Sequence, residues 1–355
     1  MQICCTLASE ALLNRLVPPR SLLSSLANRP FGYPHLLAVL LCFGQQSAWA
    51  SHKLIDYQGK VFLQRKQSQG WATPTQVRRR GVPVISEDRI EVKLDSFAMV
   101  RCGVGAKELK TVDPGATWPV SRFCRSEEIL RLASRTAEQL GGGDERIPYL
   151  IEPRATTVLG TPVPLRWNPV AGVKGYQLWL LRERDHQLLW GSRMVNSNSA
   201  LLPKSVELMP GENYLVVVEA DNGSSSQLDA GASGQTFRRA SQAEELNLAR
   251  QTASLAHQKL NPEAAGLLQA DLLSQAGLYA AAINSLEQHL LRHGKTVGLL
   301  LELGQLYARV GLNQLAYQRY LQASKLAGSG DDPDSLAEAR AGSERAQERL
   351  RDPLP

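Results

Sequence analysis

The stretch "LGQLYARVGLNQLAYQRYLQASKLAG", residues 303–328, reads as two helices, yet it stays small at Gly304, Gly311, Ala316 and Ala323. The same pattern occurs 34 residues upstream. There Ala270 aligns with Gly304, Leu273 with Tyr307, Gly277 with Gly311, Leu278 with Leu312, Ala282 with Ala316 and Leu286 with Tyr320. Small residues recur where paired helices must approach closely, and large ones recur where they interlock. The repeat therefore predicts stacked helical hairpins. Flanking signals extend the helical region over 241–351. Ser241 with Glu244 predicts a capping box, and Asn261-Pro262 an N-cap with proline in the first turn. Ser335 with Glu338 predicts a second capping box opening a last polar helix at about 335–350, after the polar linker "GDDPDS" (330–335).

The period and the small-residue signature resemble the tetratricopeptide repeat. The second copy carries the likeness best, with Leu303-Gly304, Tyr307, Gly311, Ala316, Tyr320 and Ala323 in register. The first has Ala270 for the usual glycine and His289 for the usual alanine, which predicts a more loosely packed second helix. The resemblance covers 263–328, with helices at 242–260 and 335–350 as degenerate or capping units. It implies a concave groove, lined by the first helix of each unit, that holds a protein or peptide partner. The groove candidates are Leu267, Asp271, Ser274 and Gln275 from the first copy, and Leu301, Gln305, Ala308 and Arg309 from the second. Solvated polar faces would show the same residues, and a purely architectural role fits them as well.

Upstream, the periodicity changes to two. In "RIEVKLDSFAMVRCGV" (89–104), Ile90, Val92 and Leu94 fall on one face, followed by Ala98, Val100 and Cys102. Asp95-Ser96 is either a turn or an exposed pair in one long strand. The segments "YQGKVFLQRKQSQGWATP" (57–74), "SEDRIEV" (86–92) and "SFAMVRCGVGAKELKTVDPG" (96–115) resemble the FecR-like β domain of bacterial envelope proteins, over about 65 residues. The resemblance implies a structural or regulatory β module of 51–128, in the variety found in secreted cyanobacterial proteins. Arg78, Arg79 and Arg80 before Gly81 read as a solvated turn, with a polyanion or phospholipid contact as the alternative. "SEEILRLASRTAEQLGGGDE" (126–145) reads as a short helix ended by Gly141 to Gly143, giving a helical linker over 129–146 that is a hinge between domains or, alternatively, an unstructured linker.

A second β unit spans 147–240. Leu165 and Trp167 lie on one strand, Pro169 to Gly175 turn, and Tyr176, Leu178 and Leu180 alternate on the next. Pro210-Gly211 and Asn222-Gly223 are turns around a strand with Tyr214, Val216 and Val218 on one face. With Phe237, these features resemble a fibronectin type III domain. Trp167 and Tyr214 read as core, and Trp190 in "LLWGSR" as the more exposed aromatic.

Residues 35–44, "HLLAVLLCFG", form an apolar run too short to span a bilayer, and "QQSAWA" after it fits a secretory cleavage site. Residues 1–50 are read as a signal peptide or leader with Ser51 as the mature start; a start placed too early or a retained anchor are the alternatives. Export leaves Cys102 and Cys124 as the only cysteines, read as one disulfide, with a separately buried reduced pair as the alternative.

Of 355 residues, 43% are hydrophobic and 21% charged, ordinary for a folded soluble chain. Without the leader, 37 basic residues stand against 33 acidic ones, and the excess runs from +4 over 51–145 through +2 over 146–240 to −2 over 241–355. So shallow a gradient does not point to nucleic acid. His289 and His293 at i, i+4 lack a third ligand, so no metal is assigned. There is no G-x-S-x-G elbow, phosphate loop or dinucleotide fingerprint, "GASG" (231–234) being too short, and no catalytic residue or cofactor is assigned. The expectation is a multidomain chain with two all-β domains followed by an α-helical tetratricopeptide-type solenoid. Its expected role is that of a non-catalytic, exported scaffold in the periplasm or envelope, with no membrane-embedded segment after leader cleavage. The alternatives are a cell-wall or surface glycan binder using the β domains and a hydrolase of unrecognised type.

Overall fold

Alternating apolar residues from His52 onward build ten short strands. They are β1 (His52–Gln58), β2 (Val61–Gln64), β3 (Lys66–Gln67), β4 (Gly70–Trp71), β5 (Thr75–Gln76), β6 (Val82–Val84), β7 (Arg89–Val92), β8 (Phe97–Cys102), β9 (Glu108–Val112) and β10 (Ala116–Pro119). In this computed structural model, which describes residues 52–68, 70–102, 108–124, 142–160, 162–229, 232–330 and 332–351, they form two four-stranded sheets and a small β3-β4 hairpin. The sheets, ordered β6-β1-β8-β9 and β10-β7-β2-β5, share a core that includes Leu54, Val61, Ile90, Val92 and Val100. Leu94 departs from the expected face. Asp95 adopts φ 64°, a left-handed conformation that aspartate tolerates, and turns the chain from one sheet to the other, leaving Leu94 75% exposed. Cys102 and Cys124 are joined by a disulfide that ties β8 to the segment after β10. Closing a loop of about 20 residues contributes on the order of 3 kcal/mol. The expected leader lies outside the described residues, as does the linker helix up to residue 141.

Eight further strands follow: β11 (Leu150–Glu152), β12 (Thr156–Val158), β13 (Pro164–Trp167), β14 (Tyr176–Arg182), β15 (Leu188–Gly191), β16 (Ser199–Leu201), β17 (Asn213–Ala220) and β18 (Thr236–Arg239). They make a three-stranded sheet, β11-β13-β16, and a five-stranded sheet, β12-β18-β17-β14-β15. Trp167 and Tyr214 are buried between them; Trp167 meets Tyr176 edge-on, and Tyr214 stacks on Phe237. Trp190, expected to be the more exposed aromatic, is half-buried against this core and more exposed than Trp167 and Tyr214.

The chain then becomes helical through α1 (Gln242–Ala256), α2 (Pro262–Gln275), α3 (Tyr279–His293), α4 (Val297–Arg309), α5 (Asn313–Ser329) and α6 (Pro333–Arg351). Ser241 and Glu244 form the capping box of α1, and Asn261 caps α2. The expected box at Ser335 does not form. Pro333 starts α6 earlier, the Asp332 carboxylate accepts from the Ser335 amide at 3.1 Å, and Ser335 is buried in the first turn.

The small residues now have physical partners. A Cβ at Gly304 would lie 2.8 Å from the Tyr320 ring and one at Gly342 2.6 Å from it, so two glycines on neighbouring helices make room for one aromatic. In the first copy the glycine sits one turn earlier. A Cβ at Gly266 would lie 2.7 Å from the His289 ring, so His289 fills the space that Gly266 opens.

Candidate functional site

The face expected to be a groove is covered by the chain itself. It is formed by α2 and α4, the first helices of the two hairpins, and by the last helix α6, and each turns an acidic residue toward the N-terminal β module. Asp271 and Glu263 come from α2, Glu302 from α4 and Glu338 from α6. Leu267 and Leu301, two of the groove candidates, are buried in the helical core, because the hairpins need them for packing.

Strand β1 is covered on both sides. Leu54 points into the β module's own core, and Ile55 packs against Ala264 and Leu268 of α2. A register shift between Leu54 and Asp56 bends the strand, and Asp56 is buried beside the helices as well. On the helix-facing side Lys53 lies directly across from Arg101 of β8. Like charges opposite one another in a sheet repel. Asp271 relieves this, lying 3.5 Å from Lys53 and 2.8 Å from Arg101 through its two oxygens, while Lys53 donates to Glu302 at 2.8 Å. Burial alone would push the Lys53 ammonium down; Glu302 and Asp271 outweigh it and hold it above the ordinary lysine value.

The arginine cluster forms the second half of the contact. Arg80 donates to Asp56 at 2.6 Å and to Glu263 at 3.2 Å, and Arg79 pairs with Glu338. Gly81, at φ 71°, lets the loop pass so close that a Cβ there would lie 3.1 Å from Leu267. At Gly298 of α4 a Cβ would lie 2.8 Å from the Arg80 carbonyl oxygen. Of the expected solvated turn, Arg78 is exposed, while Arg79 and Arg80 form an internal clamp. Of the remaining groove candidates, Gln275 donates to Asp271 at 2.7 Å, Gln305 donates to Glu338 at 3.1 Å, and Arg309 lies 5.5 Å from the Tyr279 ring. Ser274 and Ala308 are half-buried on the same helices.

The β-sandwich meets the helices by different chemistry. The Thr157 amide donates to the Gly277 carbonyl at 2.8 Å, and the Thr156 hydroxyl accepts from the Ala280 amide at 3.2 Å, supplying an end cap that α3 lacks from its own sequence. Arg154, fully buried, donates to the Val310 carbonyl at 2.8 Å and pairs with Asp229 at 3.0 Å. Burial pulls the Arg154 guanidinium below its usual value, the Asp229 carboxylate opposing the shift. Asp229 also accepts from the Gly142 amide at 3.0 Å. Farther along, Glu152 accepts from Asn284 at 2.7 Å, and burial raises its carboxyl pKa despite that bond and Arg166 nearby.

The His289 and His293 rings lie 4.4 Å apart and tilted by 37°, and among the described residues no group of three or more His, Cys, Asp or Glu could hold a metal ion. Among the described residues no helix is long and apolar enough to cross a membrane. Sequence reasoning missed Lys53, Asp56, Arg101, Glu263, Glu302 and Glu338. The only available signal was the opposite sign of charge in the first and last thirds of the chain.

No family model and no curated protein matches this chain. Among solved structures, a β-1,2-glucanase from Parabacteroides distasonis is similar over 84% of this chain and 48% of its own, at 12% identity and a TM-score of 0.21. This chain therefore spans about half the length of that enzyme, and a likeness so slight carries no argument.

Proposed function

We propose that this chain is a non-catalytic, exported scaffold of the cell envelope. In this reading a FecR-like module and a fibronectin-like sandwich are held by tetratricopeptide-type helices, and the protein surface those helices hold in this conformation is the chain's own β module. The observation that carries it is the match of Lys53, Arg101, Arg80 and Arg79 to acidic residues on α2, α4 and α6. The carboxylates between the modules face cations rather than one another, which favours architecture over acid–base catalysis. The glycan alternative has less support. Arg89 lies 4.0 Å from the Trp71 ring and Arg122 3.4 Å from that of Trp118, so cations already occupy ring faces that a sugar would stack on.

Calorimetry on the intact mature chain tests the reading. At low salt, coupled modules melt in one transition. A separate transition for the N-terminal module would show that the helices do not hold it.

A further inference from the structure

The N-terminal module divides its cations between two faces. Toward the helices, Lys53, Arg79, Arg80 and Arg101 all meet acids. The other sheet, β10-β7-β2-β5, holds cations against rings instead. On β7, Ile90 and Val92 fill the core, so Arg89 projects from the outer face. It lies 4.0 Å from the Trp71 ring, and Lys66, across the β3-β4 hairpin from Trp71, lies 4.7 Å from the same ring. Arg89 is also directly opposite Pro119 of β10, and the neighbouring Trp118 carries Arg122 at 3.4 Å. Among the described residues, Lys66, Arg89 and Arg122 pair with no carboxylate. Asp88 and Glu91, which flank Arg89 in sequence, are engaged with other donors. Asp88 accepts from the Arg65 side chain and from the Lys66 and Ile85 amides, and Glu91 pairs with Lys93. A ring face attracts a cation without neutralising it, so the repulsion between two cations on one indole stands until an anion relieves it.

We propose that Lys66, Arg89 and Arg122, carried on Trp71 and Trp118, form a binding face for an acidic polysaccharide, one bearing carboxylate or sulfate groups along its chain. A guanidinium lying on a ring keeps its N–H edge free, and that fork matches the paired oxygens of a carboxylate or sulfate. The cations stand at two stations of one sheet, Trp71 and Trp118, which suits anions repeated along a chain rather than one small ion. The choice among polyanions follows from the rings. Single-stranded nucleic acid stacks its bases on open aromatic faces, whereas these two tryptophans carry cations. A membrane surface takes up apolar side chains that enter the lipid, whereas both rings are half-buried. The same cations turn away a neutral sugar that would stack, so the anionic groups carry recognition. This partner goes beyond the architectural reading and stands without it, because the helices meet the other sheet, through Lys53, Ile55 and Arg101.

Titration calorimetry on the intact mature chain tests this with polygalacturonate and dextran sulfate as probes. Neutral dextran, oligothymidylate and phosphatidylglycerol vesicles are the comparison. At low salt the chain should bind at least one of the two acidic polysaccharides, should lose that binding as salt rises, and should ignore neutral dextran. Lys66→Gln with Arg89→Gln should weaken binding about tenfold, the worth of two exposed ion pairs. Arg193→Gln with Lys204→Gln removes the same charge from exposed positions on the sandwich and should leave binding unchanged. The proposal is overturned if neither acidic polysaccharide binds, or if the two double variants weaken binding equally. It is overturned as well if oligothymidylate or the vesicles bind more tightly than both polysaccharides. If the first double variant does not fold, Lys66→Gln with Arg122→Gln, at two exposed positions, decides in its place. Melting of the modules in one transition or two bears on the architectural reading alone.

Discussion

The helices touch the rest of the chain on two sides, and the two contacts are made of different groups. Toward the sandwich they offer chiefly backbone, the Gly277 and Val310 carbonyls and the Ala280 amide at helix ends, with the Asn284 side chain on Glu152 beside them. Toward the N-terminal module they offer carboxylates on long side chains. Backbone paired at a helix end is neutral and insensitive to salt, whereas the second contact joins formal charges, which salt screens in part even where they are largely buried.

The largest test of this contrast is Arg154→Met. It strands Asp229 without its cation in a dry site and should cost about 3–5 kcal/mol by urea denaturation, independent of salt. A strongly salt-dependent loss would break the distinction between the two contacts. Gly342→Ala comes next. It drives a methyl into the Tyr320 ring and should cost about 1–3 kcal/mol, and Gly342→Ala with Tyr320→Leu should recover part of that.

Glu302→Gln should cost less, about 1 kcal/mol at low salt because Lys53 keeps Asp271 nearby, and high salt should remove only part of it because the pair is largely buried. A loss unchanged by salt would mean that this contact behaves like the sandwich contact. The smallest effect falls at the start of α1. Glu244 accepts from Arg238 and from the Ser241 amide, which hold its carboxyl down at about 2, below an ordinary value of 4.5. A depressed folded pKa contributes stability above the unfolded value and loses it as pH falls through the folded one. Glu244→Gln should therefore cost under about 1 kcal/mol at neutral pH, discounted for exposure, and the gap from wild type should close between pH 4.5 and about 2.

Much of the secondary structure was legible because it is written in short range. Strand alternation at Tyr176, Leu178 and Leu180, the turn at Pro210-Gly211 and the caps at Ser241 and Asn261 each depend on neighbours a few residues away. The misread positions had a competing local signal. Ser335-x-x-Glu338 looks like a cap, but Asp332-Pro333 lies nearer to where the helix can begin. The candidate face was legible in position and not in state. Asp271, Gln275 and Gln305 were placed on the inner helices, yet nothing in their spacing says what lies above them.

By itself the sequence determined that residues 303–328 form a close-packed helical hairpin, since small residues at helical spacing on both sides of a glycine turn leave few other ways to bury the large ones between them. It also determined two β modules upstream and a cysteine pair near enough in the chain to close a loop. Only the tertiary structure decided that Lys53 and Glu302, 249 residues apart, would meet, and that the basic cluster at Arg79 and Arg80 would face acids rather than solvent. The physical reason is range. Helix periodicity and turn chemistry are fixed by adjacent dihedrals, whereas an ion pair between modules depends on how whole surfaces fit, which no local pattern encodes.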